Sequence, residues 1–177
     1  MKVGIIADTH DRLSFIDKAV RRLNLEHVEI VLHAGDYIAP FVASHFKPLK
    51  AKMIGVFGNN DGEQNLLRKK FEEIGIQILG RFAEVNLDSL KIALLHGHED
   101  DLLKSLISLH ESGAYSVIAY GHTHRTEVKK LGKTLIINPG EVCGYLSGNS
   151  TFAILDTKTL DVEIVYLNKP KDLTKPS

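Results

Sequence analysis

The chain has 177 residues, of which 44% are hydrophobic and 25% are charged, as in ordinary globular proteins. Its 22 basic and 22 acidic residues give a formal net charge of zero, so no global field draws the chain to a polyanion or an anionic membrane. One cysteine cannot form an intramolecular disulfide, and the apolar stretch after Lys2 is too short for a signal peptide or a membrane span. We therefore expect a cytoplasmic protein with one domain at 1–168 and a disordered tail at 169–177.

Apolar runs rich in valine and isoleucine alternate with helical patterns in the first half of the chain, which is typical of an α/β domain. Three of these runs are predicted to be strands, and a predicted helix follows each one. The predicted strands lie at 3–7, 30–32 and 53–57, and the predicted helices lie at 14–25, 41–46 and 63–74.

From residue 76 onward the pattern changes to shorter strands that are joined by turns. Apolar side chains at 78, 82, 85 and 87 indicate the first of these short strands and the turns between them. Further strands are predicted at 91–95, 117–120, 134–137, 152–155 and 162–167, with one helix at 102–112.

Five of the predicted strands end in clusters of metal-ligand type. The clusters are DTHD at 8–11, HAGD at 33–36, GNND at 58–61, HGH at 96–98 and GHTH at 121–124. Sites in open α/β sheets form outside the carboxyl ends of the strands, so these clusters converge if the strands are neighbours. Five clusters in one small domain therefore indicate a single shared site.

Spacing supports this interpretation. Asp8 and His10 are separated by one residue, as are His122 and His124. In an extended strand end, alternate residues face the same side. Each pair is therefore predicted to offer two ligands to one site.

The candidate ligands provide a mixed set of nitrogen and oxygen atoms. They are Asp8, His10, Asp36, Asn59, His96, His122 and His124. Such a set suits Mn, Ni, Fe, Co or Zn better than an all-oxygen calcium site, and we favour Mn. Seven ligands exceed the needs of one ion, so we predict two divalent metal ions with one carboxylate, such as Asp36, bridging them. The residual positive charge favours an anionic phosphoester, with a bridging water as the nucleophile.

The motifs DTH, GD, GNND, HGH and GHTH, in this order and each after a predicted strand, resemble the five motifs of the calcineurin-like metallophosphoesterase superfamily over residues 8–124. The short length, the lack of a cap insertion and the closing NPGEVCGY at 138–145 are most similar to small archaeal and bacterial phosphodiesterases of the YfcE type. This resemblance implies a single-domain α/β fold, a four-layer α/β/β/α sandwich with two metals at its strand ends.

The resemblance also implies how the ligands divide between the metals. The first metal would be held by Asp8, His10, Asp36 and His124. The second would be held by Asp36, Asn59, His96 and His122, with Asp36 shared by both metals.

One position departs from the pattern of the superfamily. In many members a histidine follows the metal-binding asparagine, contacts the phosphate and is a candidate proton donor, but here that residue is Asn60. An amide can donate a hydrogen bond to a phosphoryl oxygen but cannot deliver a proton at neutral pH. We predict Asn60 as a catalytic-site residue without an acid role. His98 either contacts the phosphate or flanks the site, and His33 either hydrogen-bonds behind the metals or is purely structural.

The resemblance implies a metal-dependent phosphodiesterase that hydrolyses small or activated phosphodiesters with a metal-bridging hydroxide. A phosphomonoesterase stays open, as does a nuclease, although neutral charge and few aromatic residues disfavour a polynucleotide groove. A non-catalytic scaffold resembling the retromer small subunit is the third alternative, although a scaffold needs no full ligand set. Apolar residues such as Tyr145 and Leu146 leave a homo-oligomer as a further expectation, and no membrane partner is expected.

Overall fold

Eleven strands and four α-helices make up residues 1–168, the part of the chain that the computed structural model describes. The predicted disordered tail at 169–177 lies outside these described residues. The strands are β1 (Lys2–Ile6), β2 (Ile30–His33), β3 (Lys52–Gly55), β4 (Gln77–Ile78), β5 (Phe82–Leu87), β6 (Leu90–Leu95), β7 (Val117–Ala119), β8 (Thr126–Leu131), β9 (Thr134–Pro139), β10 (Thr151–Asp156) and β11 (Val162–Tyr166). The helices are α1 (Leu13–Leu25), α2 (Ala43–Phe46), α3 (Gln64–Glu72) and α4 (Asp100–Ser108), with short 3-10 segments at Pro40–Val42 and Leu109–Glu111.

The strands form two sheets. The first has the order β11-β10-β1-β2-β3-β4, and the second has the order β5-β6-β7-β9-β8. Strands β1 to β4 run parallel to one another, as do β6, β7 and β9, whereas the remaining strands pair antiparallel. Because parallel strands end at the same edge of a sheet, the loops that follow β1, β2 and β3 are neighbours, and so are those that follow β6 and β7.

Hydrophobic residues fill three spaces and thereby define four layers. The inward-facing rows of the two sheets, such as Ile5 on β1 and Leu94 on β6, pack against each other in the central core. The other face of the first sheet packs on α1, α2 and α3, through residues such as Phe46 and Phe71. The outer face of the second sheet packs on α4 through Leu106. The predicted α/β/β/α sandwich is therefore confirmed.

The apolar runs in the sequence correspond to buried strands and to buried helix faces. All four residues of β2 are buried, because a parallel strand in a layered fold is covered on both faces. Helix α1 buries Ile16, Ala19, Val20 and Leu23, whose spacing of three and four residues places them on one face. The apolar run of β2 and the apolar face of α1 both result from the packing of helices on the first sheet.

One strand was missed by the sequence prediction. Strand β8 carries the sequence TEVKKL, and none of its residues is buried, because it is the edge strand of the second sheet. It pairs antiparallel with β9 through backbone hydrogen bonds. Such bonds do not require apolar side chains, so the hydrophobic pattern does not predict this strand. None of the helices in the described part of the chain is long and apolar enough to cross a membrane.

Candidate metal centre

The polar clusters that follow β1, β2, β3, β6 and β7 meet where the two sheets end together. His96 Nδ1 donates a hydrogen bond to the carbonyl of Ala34 (2.7 Å), which joins the loop after β6 to the loop after β2. The backbone N–H of His122 donates to Asp8 Oδ2 (3.0 Å), which joins the loop after β7 to the loop after β1. These bonds cross between the sheets, so the predicted convergence of the clusters is present in the structure.

The backbone turns sharply at the candidate ligands. Five of the seven have positive φ angles, namely Asp8 (49°), His10 (46°), Asp36 (63°), His122 (66°) and His124 (58°). The left-handed region costs a non-glycine residue about 1–2 kcal/mol, and such residues cluster at functional sites. The spacing predicts that each ligand pair lies in an extended strand end, whereas β1 ends at Ile6 and β7 ends at Ala119. Left-handed turns, and not strand alternation, aim the paired side chains at one point.

Four side chains form the half of the centre that the family pattern assigns to the first metal. His124 Nε2 lies 3.4 Å from Asp8 Oδ1, and His10 Nε2 lies 3.7 Å from Asp36 Oδ2. Asp8 and Asp36 are fully buried. One ligand atom each from Asp8, His10 and Asp36 lies within 4.8 Å of the others.

The other half is arranged around His96. Its Nε2 lies 3.0 Å from Asn59 Oδ1 and 3.4 Å from Asp36 Oδ2. The ring of His122 lies 5.1 Å from the ring of His96, measured between centroids. Asp36 Oδ2 is therefore close to an imidazole nitrogen of each half, which is the position that a shared carboxylate requires.

Unsatisfied buried atoms test whether cations fit this centre. Asp8 Oδ1 and His10 Nε2 are buried and have no hydrogen-bond partner among the described residues. His96 donates its Nδ1 proton to Ala34, so its Nε2 is the atom that faces the oxygens of Asn59 and Asp36. Burial acts to lower the pKa of His96, but the hydrogen bond and charge of Asp36 raise it, so this Nε2 carries either a proton or a metal ion between those oxygens. Buried polar atoms are normally paired, and atoms that all carry lone pairs need a cation between them. The residues present therefore fit divalent metal ions.

Electrostatics agree with this conclusion. Burial raises the pKa of Asp8 to about 7, although the nearby His96 and His124 act to lower it. Burial also acts to raise the pKa of Asp36, but hydrogen bonds and charge from His96 and hydrogen bonds from Asn60 hold it below its usual range. A divalent cation beside Asp8 would favour the ionised carboxylate.

The sequence prediction missed Glu141, which orients His124. Glu141 is fully buried, and its Oε2 accepts a hydrogen bond from His124 Nδ1 (2.7 Å), so the Nε2 lone pair of His124 faces the centre. The same carboxylate also accepts bonds from Cys143 Sγ and from the backbone N–H groups of Tyr145, Leu146 and Ser147. Burial acts to raise the pKa of Glu141, but these hydrogen bonds lower it to about 2. An acidic residue directly after β9, inside NPGEVCGY, was the available signal.

Asp61 was also missed, and it fixes the loops after β2 and β3. Its Oδ1 accepts hydrogen bonds from the backbone N–H groups of Tyr37 (2.6 Å) and Ile38 (2.8 Å). Its Oδ2 accepts from those of Asp36 (3.0 Å) and Gly58 (2.7 Å). One buried carboxylate thereby holds the backbone of Asp36 in its left-handed conformation. Only the tertiary arrangement shows this role, because all four donors are backbone groups.

The structure also places the three residues whose roles the sequence left open. Asn60 donates to Asp36 twice, from its side-chain amide (2.7 Å) and from its backbone N–H (2.9 Å). His98 lies beside the second half, with its ring 5.5 Å from that of His96, and burial lowers its pKa. His33 is buried between Thr9 Oγ1 (3.1 Å) and the backbone N–H of Gly35 (3.1 Å), so its hydrogen bonds join the ligand-bearing loops after β1 and β2.

Replacing Glu141 with glutamine tests whether this carboxylate prepares His124 for a metal. Both oxygens of Glu141 accept hydrogen bonds, so an amide NH₂ must oppose at least one donor, and the orientation of His124 is loosened. We expect Glu141→Gln to weaken Mn²⁺ binding by about 10- to 100-fold, measured by isothermal titration calorimetry. Glu72→Gln, at an exposed position on α3, is the matched control. Wild-type Mn²⁺ affinity in a folded Glu141→Gln protein would contradict the proposed role.

Comparison with known proteins agrees with this geometry. The sequence profile of the calcineurin-like phosphoesterase superfamily domain matches residues 1–160. A phosphodiesterase of Methanocaldococcus jannaschii is 42% identical over 168 residues, which cover 94% of this chain and 99% of that protein. The solved structure of an archaeal phosphodiesterase has a TM-score of 0.87 and 41% identity, and the match covers 94% of this chain and 99% of that one.

A more distant solved structure shares the fold alone. Vps29 of Entamoeba histolytica, crystallised with zinc, has a TM-score of 0.65 at 23% identity, and the match covers 95% of this chain and all of that one (100%). The extent of the family match and the identity to the archaeal relative confirm the resemblance that the five motifs carried. The chain belongs to the calcineurin-like phosphoesterase superfamily.

Proposed function

We propose that this chain is a metal-dependent phosphodiesterase that hydrolyses small or activated phosphodiesters at the strand-end centre. The observation that carries the proposal is the convergence of carboxylate, amide and imidazole ligand atoms around the buried Asp36. A relative that is 42% identical over nearly its whole length is called a phosphodiesterase, which supports the diester as the substrate. The match covers 99% of that relative, so the relative has no large domain outside the matched region.

The proposed centre holds two divalent ions. The first is assigned to Asp8, His10, Asp36 and His124, and the second to Asp36, Asn59, His96 and His122. When bound, two such ions neutralise charge on a phosphoryl group and acidify a water molecule that can attack it. Manganese remains our favoured metal because the ligands mix imidazole nitrogen with carboxylate and amide oxygen.

The types of ligand also determine the net charge of the metal-loaded centre. Asn59 provides an oxygen without adding a negative charge, so only Asp8 and Asp36 offset two divalent cations. Neutral His10 and His96 add none. The centre therefore keeps a net positive charge that attracts an anionic diester. We infer that the Asn60 amide, which donates one N–H to Asp36 Oδ2, donates its second N–H to a phosphoryl oxygen.

The alternatives make different demands on the molecule. A phosphomonoesterase or a nuclease would use the same ligands, so substrate assays distinguish them from a phosphodiesterase. A scaffold has no use for a buried cluster in which Asp8 Oδ1 and His10 Nε2 lack hydrogen-bond partners among the described residues, and the likeness to Vps29 extends only to the fold. A cytoplasmic location and a homo-oligomeric state remain predictions from the sequence.

A matrix of metals and substrates tests the proposed function. Metal-free protein is supplied with Mn, Ni, Mg or Zn and assayed against a diester, a monoester, cyclic nucleotides and single-stranded nucleic acid. We expect the highest activity with Mn on bis(p-nitrophenyl) phosphate and little on the monoester. Asp8→Asn keeps the shape of the side chain but removes its charge, so it should reduce turnover on the order of 10³-fold.

Two results of this matrix would overturn the proposal. A preference for the monoester under every metal would identify a phosphomonoesterase, and hydrolysis that Asp8→Asn leaves unchanged would place the activity elsewhere. The exposed Asp161→Asn is the matched control, because it makes the same chemical change far from the centre.

The identity of residue 60 predicts which diesters are poor substrates. Proton donation to the leaving group is worth about 10²- to 10⁴-fold, and Asn60 cannot provide it. Alkoxide leaving groups should suffer most, whereas a nitrophenolate is stable as an anion and needs little help. We therefore expect kcat to fall steeply with the pKa of the leaving group in a series of aryl and alkyl phosphodiesters.

The companion variant restores an ionisable group at this position. Asn60→His should raise turnover on the poorer leaving groups and change it little for p-nitrophenolate. A flat dependence on leaving-group pKa in the wild type would mean that another residue donates the proton. His98, which lies beside the second half of the centre, would then be the next residue to replace.

A further inference from the structure

Tyr145 is exposed and yet fixed in place beside the metal centre. About half of its surface (53%) is open to solvent. Its hydroxyl lies 3.3 Å from Asp11 Oδ1, and its backbone N–H donates to Glu141 Oε2 (2.9 Å). The contact with Asp11 restrains the side chain, and the bond to Glu141 restrains the backbone that carries it.

The contacts of Tyr145 connect it to both imidazoles of the first half of the centre. Its ring meets that of His10 edge to face, with centroids 5.9 Å apart and planes at 73°. Glu141, which binds its backbone N–H, also accepts the hydrogen bond from His124 Nδ1. The exposed ring therefore contacts His10, which itself faces the position where a phosphoryl group would bind.

Arg12 supports the ring from the protein side. Its guanidinium lies 4.0 Å from the centroid of the Phe15 ring and 5.4 Å from that of Tyr145. It also donates a hydrogen bond to the carbonyl of Cys143, two residues before Tyr145. Arg12 thereby fastens the loop after β9 to the start of α1, and Tyr145 presents a rigid aromatic surface at the rim of the centre.

We propose that Tyr145 binds the substrate by stacking on a planar aromatic ester group, such as a nucleobase or an aryl ring. This inference rests on the proposed phosphodiesterase function and adds a substrate class to it. A diester bound at Asp36 extends two ester groups outward, and a fixed aromatic ring next to His10 is the surface that one of them meets. Stacking on an aromatic side chain is tolerant of sequence because every base has a π-face.

Inhibition by product-like monoesters tests the proposal without depending on the leaving group. AMP is compared with ribose 5-phosphate, and phenyl phosphate with methyl phosphate, as inhibitors of bis(p-nitrophenyl) phosphate hydrolysis by the metal-loaded enzyme. We expect the aromatic member to inhibit about tenfold more strongly in the wild type and in Tyr145→Phe. In Tyr145→Ala this ratio should fall to near one. A preference in the AMP pair alone assigns the ligand to a nucleobase. A preference in the phenyl phosphate pair alone assigns it to an aryl ring.

A fluorescent variant gives a binding measurement that needs no hydrolysis. The chain contains no tryptophan, so Tyr145→Trp places a single indole at the rim. Saturable quenching by AMP, but not by ribose 5-phosphate, is the expected result. Leu25→Trp is the control, because this exposed residue ends α1 at the opposite edge of the sheet.

The outcomes separate this inference from the proposed function. Wild-type protein without metal-dependent hydrolysis contradicts the function, whereas the fluorescence result stands by itself. An aromatic preference that Tyr145→Ala leaves unchanged, or one that is absent from the wild type, overturns the role of Tyr145. Tyr145→Ala that converts an oligomer to a monomer and leaves the inhibition ratios unchanged would show that the ring contacts a second copy of the chain, which also overturns it.

Discussion

The site depends on the contacts of the Asp36 carboxylate with imidazoles from both halves of the centre. Its Oδ2 lies within 3.4 Å of His96 Nε2 and 3.7 Å of His10 Nε2, although these imidazoles come from different sheets. The side chain is fully buried, so its charge must be compensated locally. The hydrogen bonds from Asn60 and the nearby imidazoles provide part of that compensation, and divalent ions between the lone pairs would complete it.

Two further carboxylates keep the ligands in position without facing the centre. Asp61 holds the turn that contains Asp36 by accepting four backbone N–H groups, and Glu141 sets the tautomer of His124. The left-handed backbone at Asp8, His10, Asp36, His122 and His124 has an energetic cost that such contacts offset. The four-layer packing thus supplies rigidity, while these polar contacts supply the geometry.

The fold class and the convergence of the candidate ligands could be predicted from the sequence, because both follow from local patterns. Buried parallel strands appear as apolar runs, and ligand residues appear directly after them, as in DTH after β1 and GHTH after β7. Strand β8 could not be predicted, since an exposed edge strand is stabilised by pairing with β9 and not by burial. Glu141 and Asp61 could not be assigned roles either, because the partners that give them their roles, His124 and the backbone of Asp36, lie in other loops. The exposed but fixed ring of Tyr145 likewise depends on contacts with Asp11 and Arg12 that spacing does not reveal.

We propose that Asp36 bridges two metal ions, and electron paramagnetic resonance of the Mn²⁺-loaded protein distinguishes such a pair from isolated ions. Two manganese ions that share a carboxylate lie close enough, about 3.5–4 Å apart in two-metal hydrolytic sites, to be exchange-coupled. We expect two bound ions per chain and a coupled multiline spectrum, which Asp36→Asn replaces with the six-line signal of isolated ions. A wild-type protein that binds one ion, or two ions without coupling, would show that Asp36 does not bridge a metal pair.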